Sequence, residues 1–489
     1  MRSGTTIPAI VASVLIAYAS AFTQSISLEQ VIREVCTKSD SVKMMRETVK
    51  KSDQMVRENW SAVYPTISLS AAAAQSYGSL FGGGGSSSSS SSSSHSAPTQ
   101  AELAKQQFAL DSATLDRRYV KNATLGDIFS SFSQPQTTTV YNTGLQISQT
   151  IYTFGKVGTA LKVAKAYNQS THLTYERNLQ AIQLGALDAF YRAILAQRAA
   201  AIAEHSLTRK KDLNEFLDRN FKNGSGSRAQ VLATKADVAN QSTATLMAKR
   251  DARTARMYLN AFMARPLTDS TALDTVGIPS SLNVAVLPSE DEAVSTAFKE
   301  RDDLKSIKYM AEATKGGAKI YKAMYLPSIG AQGSAGYSKY ESGSKLIPSD
   351  WQKSWTIGVG AQWTLFDGFA SSAKAAQYVS DANKLEVVYS TMANGIEIEI
   401  RTAITECAAA DSNFAASKEM LMAAQESYDL TNSNFKQGSG QFADVQLADE
   451  LLMQAELGLT NAQYRLVRSR AALRVAMGND IIALNEHLQ

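Results

Sequence analysis

The sequence is poor in the residues that build most catalytic and metal sites. It has two cysteines and four histidines in 489 residues, and none of the histidines has a second ligand or a nucleophile at a useful spacing. Cys36 and Cys407 lie far apart in helical patterns, and two cysteines are too few for a metal site. We therefore predict two buried thiols without a disulfide, no cofactor and no enzymatic activity.

Long apolar runs and blocks of one charge are also missing. The net charge is +4, with 49 basic and 45 acidic residues interspersed, which does not indicate nucleic-acid binding. Beyond the N-terminus, no stretch reaches the run of about 18 apolar residues that a transmembrane helix needs. The N-terminus itself combines Arg2, a short apolar segment over 7–17 and small residues over 17–21. This pattern predicts an export signal over residues 1–21.

The sequence does contain an internal duplication. Asn434–Gly440 repeats Asn220–Gly226, at an offset of 434 − 220 = 214 residues. Farther upstream in each copy, Pro327 matches Pro65 at an offset of 327 − 65 = 262. The difference, 262 − 214 = 48, is the number of extra residues in the first copy, and these include the serine run 86–94.

The duplication predicts the organisation of the chain. A Gly/Ser-rich segment without a hydrophobic period cannot bury enough apolar surface to offset ordering, so we predict a disordered loop there. The predicted segments are a signal peptide (1–21), a first repeat (22–264) with this loop at about 78–136, a linker (265–288), a second repeat (289–478) and a C-terminal tail (479–489).

Each repeat is predicted to run helix, strand, strand, long helix, turn, long helix. Period-two alternation predicts strands, and long stretches without proline predict helices. The first long helix, 156–222, would measure roughly 100 Å. The predicted strands begin at Thr66 and cover 137–154, 329–337 and 355–365, and the second long helix covers about 368–437.

The last helix has a heptad pattern that predicts a coiled-coil seam. Ten positions alternate by three and four residues, and all but Ser469 are apolar: Val445, Ala448, Leu452, Ala455, Leu459, Ala462, Leu466, Ser469, Leu473 and Ala476. The equivalent seam of the first copy is more polar, with Thr234, Gln241 and Thr245. We expect one of its faces to contact water.

Four strands are too few to close a barrel within one chain. Trp355 and Trp363 are eight residues apart on one predicted face, which is about 26 Å along a strand. This approaches the height of the apolar band of an outer-membrane barrel with aromatic rims. Since only helices and closed barrels satisfy backbone groups in lipid, the export signal favours a barrel closed by several chains. A soluble sheet with two tryptophans is the alternative.

The order, spacing and duplication of these elements resemble the TolC-like outer-membrane efflux protein family over about Ser27 to Met477. Short motifs at matching places in both copies carry the resemblance: Tyr64-Pro65 and Leu326-Pro327 before strands, the strand exits Ile151–Gly155 and Leu365–Gly368, and the turns FKNGSG and FKQGSG.

The resemblance implies an α+β membrane protein that assembles as a homotrimer in the bacterial outer membrane. Each chain would give four strands to a shared 12-stranded β-barrel, since 3 × 4 = 12, and its helices to a periplasmic α-helical coiled-coil tunnel. The implied function is the exit duct of a tripartite efflux or type I secretion system. Its partners would be a periplasmic adaptor protein, an inner-membrane transporter and outer-membrane lipid.

The resemblance also suggests residues at the tunnel mouth. A family aspartate falls on Asp444, with Gln230 at the equivalent position of the first copy, and the next family aspartate falls on Leu447. A tyrosine and an arginine that tie the closed mouth in the family fall on Phe435 and Gly440, which cannot form those polar contacts. We expect a constriction at Asp444, Phe435 and Gln230. The alternative for Asp444 is a solvated carboxylate in the first turn of a helix.

Two further groups of residues complete the expected sites. Glycines are expected to reverse the helix direction and to form an adaptor-docking surface, and tryptophans are expected at the membrane interface. These are Gly224, Gly226, Gly438 and Gly440, and Trp351, Trp355 and Trp363. The competing function is a periplasmic coiled-coil adaptor or structural spacer whose strands form a small soluble domain instead of a barrel.

Overall fold

The structure is a computed structural model that describes residues 25–78, 136–270, 272–274, 287–342 and 350–482. The predicted signal peptide, the interior of the predicted Gly/Ser-rich loop and the last seven residues of the tail lie outside this part. The chain forms two compact units. Of the described residues, a helical unit comprises 25–57, 159–270, 272–274, 287–319 and 373–482, and a sheet unit comprises 58–78, 136–158, 320–342 and 350–372, so each unit contains parts of both repeats.

The order of the elements confirms the duplicated unit, and the long helices match at the predicted offset to the residue. The first repeat contains α1 (Leu28–Lys38), α2 (Asp40–Ser61), β1 (Thr66–Gly78), β2 (Gln136–Tyr152), α3 (Lys156–Lys222) and α4 (Arg228–Phe262). The second contains α5 (Glu290–Glu300), α6 (Asp302–Lys322), a 3-10 turn (Ala323–Tyr325), β3 (Ser328–Ser342), β4 (Gln352–Gln362), α7 (Ala370–Lys436) and α8 (Phe442–Ala476). The bounds of α3 and α7 obey the predicted offset, because 156 + 214 = 370 and 222 + 214 = 436.

Local capping explains where the short helices begin. Ser27 forms a capping box with Gln30, in which the Ser27 side chain accepts from the Gln30 amide and the Gln30 side chain accepts from the Ser27 amide. Ser289 caps α5 through the Glu292 amide, at the position 262 residues after Ser27. Both repeats therefore start with a serine N-cap.

The core of the helical unit is built from apolar seams of the long helices. Nine of the ten predicted heptad positions of α8 are buried, and only Leu459 is half-buried. Cys36 and Cys407 are buried and unpaired, as predicted. Burial in this apolar packing raises the pKa of the Cys36 thiol to about 12.

The expectation for the first-repeat seam was wrong. Thr234, Gln241 and Thr245 are buried instead of facing water. The Gln241 amide and the Thr245 hydroxyl both donate to the Ala203 carbonyl at 3.1 Å, and the Thr234 hydroxyl donates to Asn214 Oδ1 at 3.0 Å. Polar side chains can occupy a buried seam when the facing helix supplies acceptors.

The four strands form one antiparallel sheet in the order β1-β2-β3-β4. The register pairs Leu69 with Leu145, Leu145 with Ala335 and Ala335 with Trp355. The predicted end of the last strand was too late: β4 stops at Gln362, so Trp363 and Leu365 follow it. Alternating hydrophobicity continues through those residues, but β3 has no backbone left to pair with them, since its first residue, Ser328, pairs with Gln362.

Parts of the predicted linker and tail belong to the helical unit. Linker residues 272–274 pair with Ile26, whose amide donates to the Ala272 carbonyl at 2.8 Å, and Leu273 is buried. In the predicted tail, Ile481 is buried and its amide donates to Gln183 Oε1 at 2.8 Å. No helix in the described ranges has the combination of length and apolar composition that crossing a membrane requires.

Candidate functional site

One face of the sheet is apolar and exposed. Its large side chains stand at alternate positions of neighbouring strands, so the register brings them together on one side. Ile357 is 79% exposed and Trp355 is 75% exposed. We call this set the apolar face: Ile67, Leu69, Leu145, Ile147, Trp355, Ile357 and Val359. A contiguous apolar surface of this kind marks contact with lipid or with another protein.

The opposite face is polar and has small side chains. Ser68 pairs with Gln146, Gln146 pairs with Ser334, and Ser334 pairs with Thr356. Two residues along the strands, on the same face, Gly144 pairs with Gly336. A Cβ on Gly336 would lie only 2.5 Å from the Thr143 carbonyl oxygen. Apolar residues outside and polar residues inside are the pattern of a sheet that separates lipid from a water-filled lumen.

The sheet has two free edges in the single chain. β1 pairs only with β2, and β4 pairs only with β3, within the described residues. Long strands with unpaired amides and carbonyls favour pairing with another strand. The two edges therefore provide the surfaces on which further chains would continue the sheet.

The predicted interface tryptophans differ in their positions. Trp355 lies on the apolar face, whereas Trp351 and Trp363 flank β4 at its two ends. All three are more than half exposed, at 54% for Trp351, 75% for Trp355 and 62% for Trp363. Trp363 donates from Nε1 to the Tyr325 carbonyl at 2.9 Å. An apolar ring with one satisfied polar atom suits a membrane interface, and this role remains a prediction.

The predicted turn glycines close two equivalent helix ends. The Gly224 and Ser225 amides donate to the Phe221 and Asn220 carbonyls, and the Gly438 and Ser439 amides repeat these bonds with Phe435 and Asn434. This is the Schellman arrangement, whose glycine needs a left-handed backbone. Gly224 and Gly438 have φ of +78° and +82°. Gly226 and Gly440 instead allow the chain to pass close to the preceding helix end, since a Cβ on them would lie 2.7 Å from Phe221 N and 2.8 Å from Phe435 N.

Two of the predicted mouth residues, Asp444 and Phe435, lie beside the second of these turns, and Gln230 lies beside the first. Asp444 is exposed in the first turn of α8, as the dipole favours. Phe435 is half-buried, with its ring centroid 6.1 Å from that of Phe216 and 6.2 Å from that of Phe442. Gln230 is half-buried in the first turn of α4. Phe435 thus joins α3, α7 and α8 through apolar contacts, while Asp444 is free to face solvent.

Sequence reasoning missed a buried charged cluster farther along the same helices. Arg209 of α3 donates from Nε to Asp449 of α8 at 2.5 Å, and Ser206 also donates to Asp449 at 3.2 Å. The guanidinium lies 5.5 Å from the centroid of the Tyr428 ring on α7. Arg209 Nη2 and Glu456 Oε2 are buried, lie 3.9 Å apart and form no hydrogen bond. Burial raises the pKa of Glu456, although Arg209 acts against this shift.

A second missed cluster holds the end of α8. Arg301 is 5% exposed, and its guanidinium donates to Asp303, to Glu399 and to the Ala476 carbonyl. Arg177 donates to the Val475 carbonyl at 2.7 Å. Burial opposes ionisation of Asp303, but the hydrogen bond and charge of Arg301 outweigh it and lower the pKa of this carboxyl. Cations at the carbonyl end of a helix are also favoured by its dipole. No group of three or more His, Cys, Asp or Glu residues in the described ranges is arranged to hold a metal ion.

Comparisons with known proteins agree with this architecture. The sequence profile of the outer membrane efflux protein family matches residues 293–479. The second repeat of the chain is therefore similar to the outer membrane efflux protein family. The match runs from within α5 to the end of α8, and so includes the second-repeat residues of the apolar face (Trp355, Ile357 and Val359) and the Gly438 turn.

The individual proteins that this chain resembles are distant in sequence. Outer membrane efflux protein BepC from Brucella suis biovar 1 (strain 1330) is 23% identical over 299 residues, which are 60% of this chain and 62% of BepC. Outer membrane protein TolC from Salmonella enteritidis is 23% identical over 375 residues, 70% of this chain and 71% of TolC. The Campylobacter jejuni CmeC outer membrane channel shares the fold, with a TM-score of 0.71 at 14% identity over 92% of this chain and 85% of CmeC.

Proposed function

We propose that this chain is one subunit of an outer-membrane exit duct, which passively conducts substrates from a pump and its adaptor to the exterior. The observation that carries the proposal is the two-sided sheet with free edges. An exposed apolar face requires lipid or another protein surface against it, and two free strand edges require further strands to pair with. Three copies would supply both, with four strands from each chain in one closed barrel and the apolar face toward lipid.

The partners follow from the same proposal. The long helices would form the periplasmic part of the duct, and their Gly224 and Gly438 turns would offer two similar surfaces to a periplasmic adaptor protein. An inner-membrane transporter would supply the substrate, for efflux or for type I secretion. The protein itself would carry out no reaction, because conduction needs a shaped path and no catalytic group.

Adjacent residues on opposite faces of β4 provide the test. Ile357→Lys places a charge on the apolar face, and Thr356→Lys places the same charge on the polar face. A lysine facing the bilayer midplane costs about 2–4 kcal/mol, whereas a lumen position costs little. We expect Ile357→Lys to reduce the amount of detergent-extracted trimer in the outer membrane and Thr356→Lys to leave it nearly unchanged.

The competing function makes the opposite prediction. A periplasmic adaptor or spacer would be extracted without detergent and would tolerate both substitutions equally. A monodisperse, detergent-free monomer in light scattering would contradict the duct. The exposed apolar face favours the duct, since a soluble spacer gains nothing from seven large apolar side chains in water.

A further inference from the structure

A groove in the helical unit has no role in the proposed duct. It lies where α3, α6 and α7 meet, and its volume of about 490 Å³ is within the range of small-molecule sites. Two adjacent glycines of α6 allow this close approach. A Cβ on Gly316 would lie 2.3 Å from Val163 Cγ2, and a Cβ on Gly317 would lie 2.7 Å from the Tyr378 ring. Because glycine is unfavourable inside a helix, the junction depends on both residues at some cost in stability.

The groove is positively charged. Four lysines and two glutamates line it, so its formal charge is 4 − 2 = +2: Lys162, Lys308, Lys315, Lys319, Glu312 and Glu386. Lys315 Nζ lies 2.7 Å from Glu386 Oε1, and this pair is neutral. Within the described residues, Lys162, Lys308 and Lys319 have no carboxylate at ion-pair distance. Three ammonium groups therefore have donors available for a ligand.

The remaining surface of the groove is apolar. Val163, Ile307 and Leu385 are half-buried and contribute aliphatic side chains from the three different helices. Lys308 Nζ lies 5.2 Å from the centroid of the Tyr389 ring, a cation–π contact that places the ammonium beside an aromatic wall. An apolar floor and a cationic rim thus lie within one groove.

We propose that this groove binds an anionic amphiphile. A carboxylate, sulfate or phosphate head would accept charge-assisted hydrogen bonds from Lys162, Lys308 and Lys319. Its apolar body would cover Val163 and Leu385. A neutral molecule of the same shape would lose the charge-assisted bonds, and a cationic one would be repelled. The inference is independent of the duct, because it concerns the groove alone.

Residue-resolved lysine labelling tests the proposal on the full-length protein. The rate of reductive methylation is measured for each lysine by peptide mass spectrometry in a neutral detergent, with decanoate, with decanol or without addition. At a concentration about ten times its Kd, decanoate is expected to slow the labelling of Lys162, Lys308 and Lys319 about tenfold, because only the unliganded protein reacts at these lysines. Decanol should have no such effect. The exposed controls Lys235 and Lys418 should react equally in all conditions.

Nanodiscs of phosphatidylglycerol or phosphatidylcholine distinguish the source of the ligand. Protection by phosphatidylglycerol indicates an anionic phospholipid, and protection by decanoate alone indicates a single-chain acid; both support the site. Equal protection of groove and control lysines, or no protection, would overturn it. So would groove lysines that are unreactive without addition while the controls react, because another chain then covers the groove.

Substitution provides a matched comparison. The triple variant K162Q/K308Q/K319Q removes the three unpaired charges from exposed positions, so it is expected to fold. It should weaken decanoate binding in equilibrium dialysis about tenfold or more. The control variant K235Q/K418Q/K436Q removes the same charge from exposed positions outside the groove lining and should bind as the parent does. Equal binding by the two variants would contradict a localised site.

Discussion

At the scale of single residues, the buried Arg209–Asp449 ion pair of the helical unit depends on both of its charges being present. Asp449 is 5% exposed, and its charge is balanced by a guanidinium that belongs to another helix. Removing one member of such a pair leaves an uncompensated buried charge. We expect Asp449→Leu or Arg209→Leu to lower the free energy of unfolding by about 3 kcal/mol. The double variant should recover most of this loss, because neither charge then remains.

A double-mutant cycle measures this prediction through thermal unfolding of the detergent-solubilised protein. The exposed pair Lys315–Glu386, whose side chains are 56% and 59% accessible, is the control. Its single substitutions should change stability by less than about 1 kcal/mol, as exposed ion pairs do. A double variant as unstable as the sum of the two single variants would show that the charges do not compensate each other.

At the scale of elements, the C-terminal ends of α4 and α8 differ in the residue that takes the left-handed conformation. α4 and α8 end in the same hydrogen-bond pattern, but α4 uses Ala264 with φ +55° where α8 uses Gly478 with φ +87°. A left-handed conformation costs a residue with a Cβ about 1–2 kcal/mol. Ala264→Gly should therefore raise the unfolding temperature, and Gly438→Ala, in the same conformation, should lower it.

Gly395 of α7 provides the matched control, because it lies inside a helix with open space around its Cβ position. Gly395→Ala should stabilise the protein by up to about 1 kcal/mol, since alanine favours the helix. If Ala264→Gly destabilises instead, lost contacts of the Ala264 methyl group outweigh the backbone strain.

Most elements were predictable because their signals are local and occur twice. The absence of proline, the glycine turns and the fixed offset gave the bounds of α3 and α7 within two residues of the observed ones. The charged clusters were not predictable, because Arg209 and Asp449 are 240 positions apart and nothing in the sequence relates them. The buried polar seam of α4 was misinterpreted for the same reason: the Ala203 carbonyl that satisfies Gln241 and Thr245 lies on another helix.

At the scale of the whole molecule, the proposed duct has two kinds of constriction to test. If three chains surround one axis, Asp444 occurs three times near the Gly438 turn and attracts cations. Asp444→Asn should then lower cation selectivity and weaken block by multivalent cations in single-channel recordings. Phe435 has a different role in this picture, because its ring packs against Phe216 and Phe442 of its own chain.

Truncating that ring should loosen the contact between three helix ends, since an aromatic side chain is a large part of any small apolar cluster. Phe435→Ala is therefore expected to raise conductance more than Asp444→Asn does, while Asp444→Asn changes selectivity more. Phe221→Ala is the control, because Phe221 occupies the equivalent place in the first copy and is 40% exposed. If reconstituted trimers conduct but neither substitution changes conductance or selectivity, the constriction lies elsewhere along the duct.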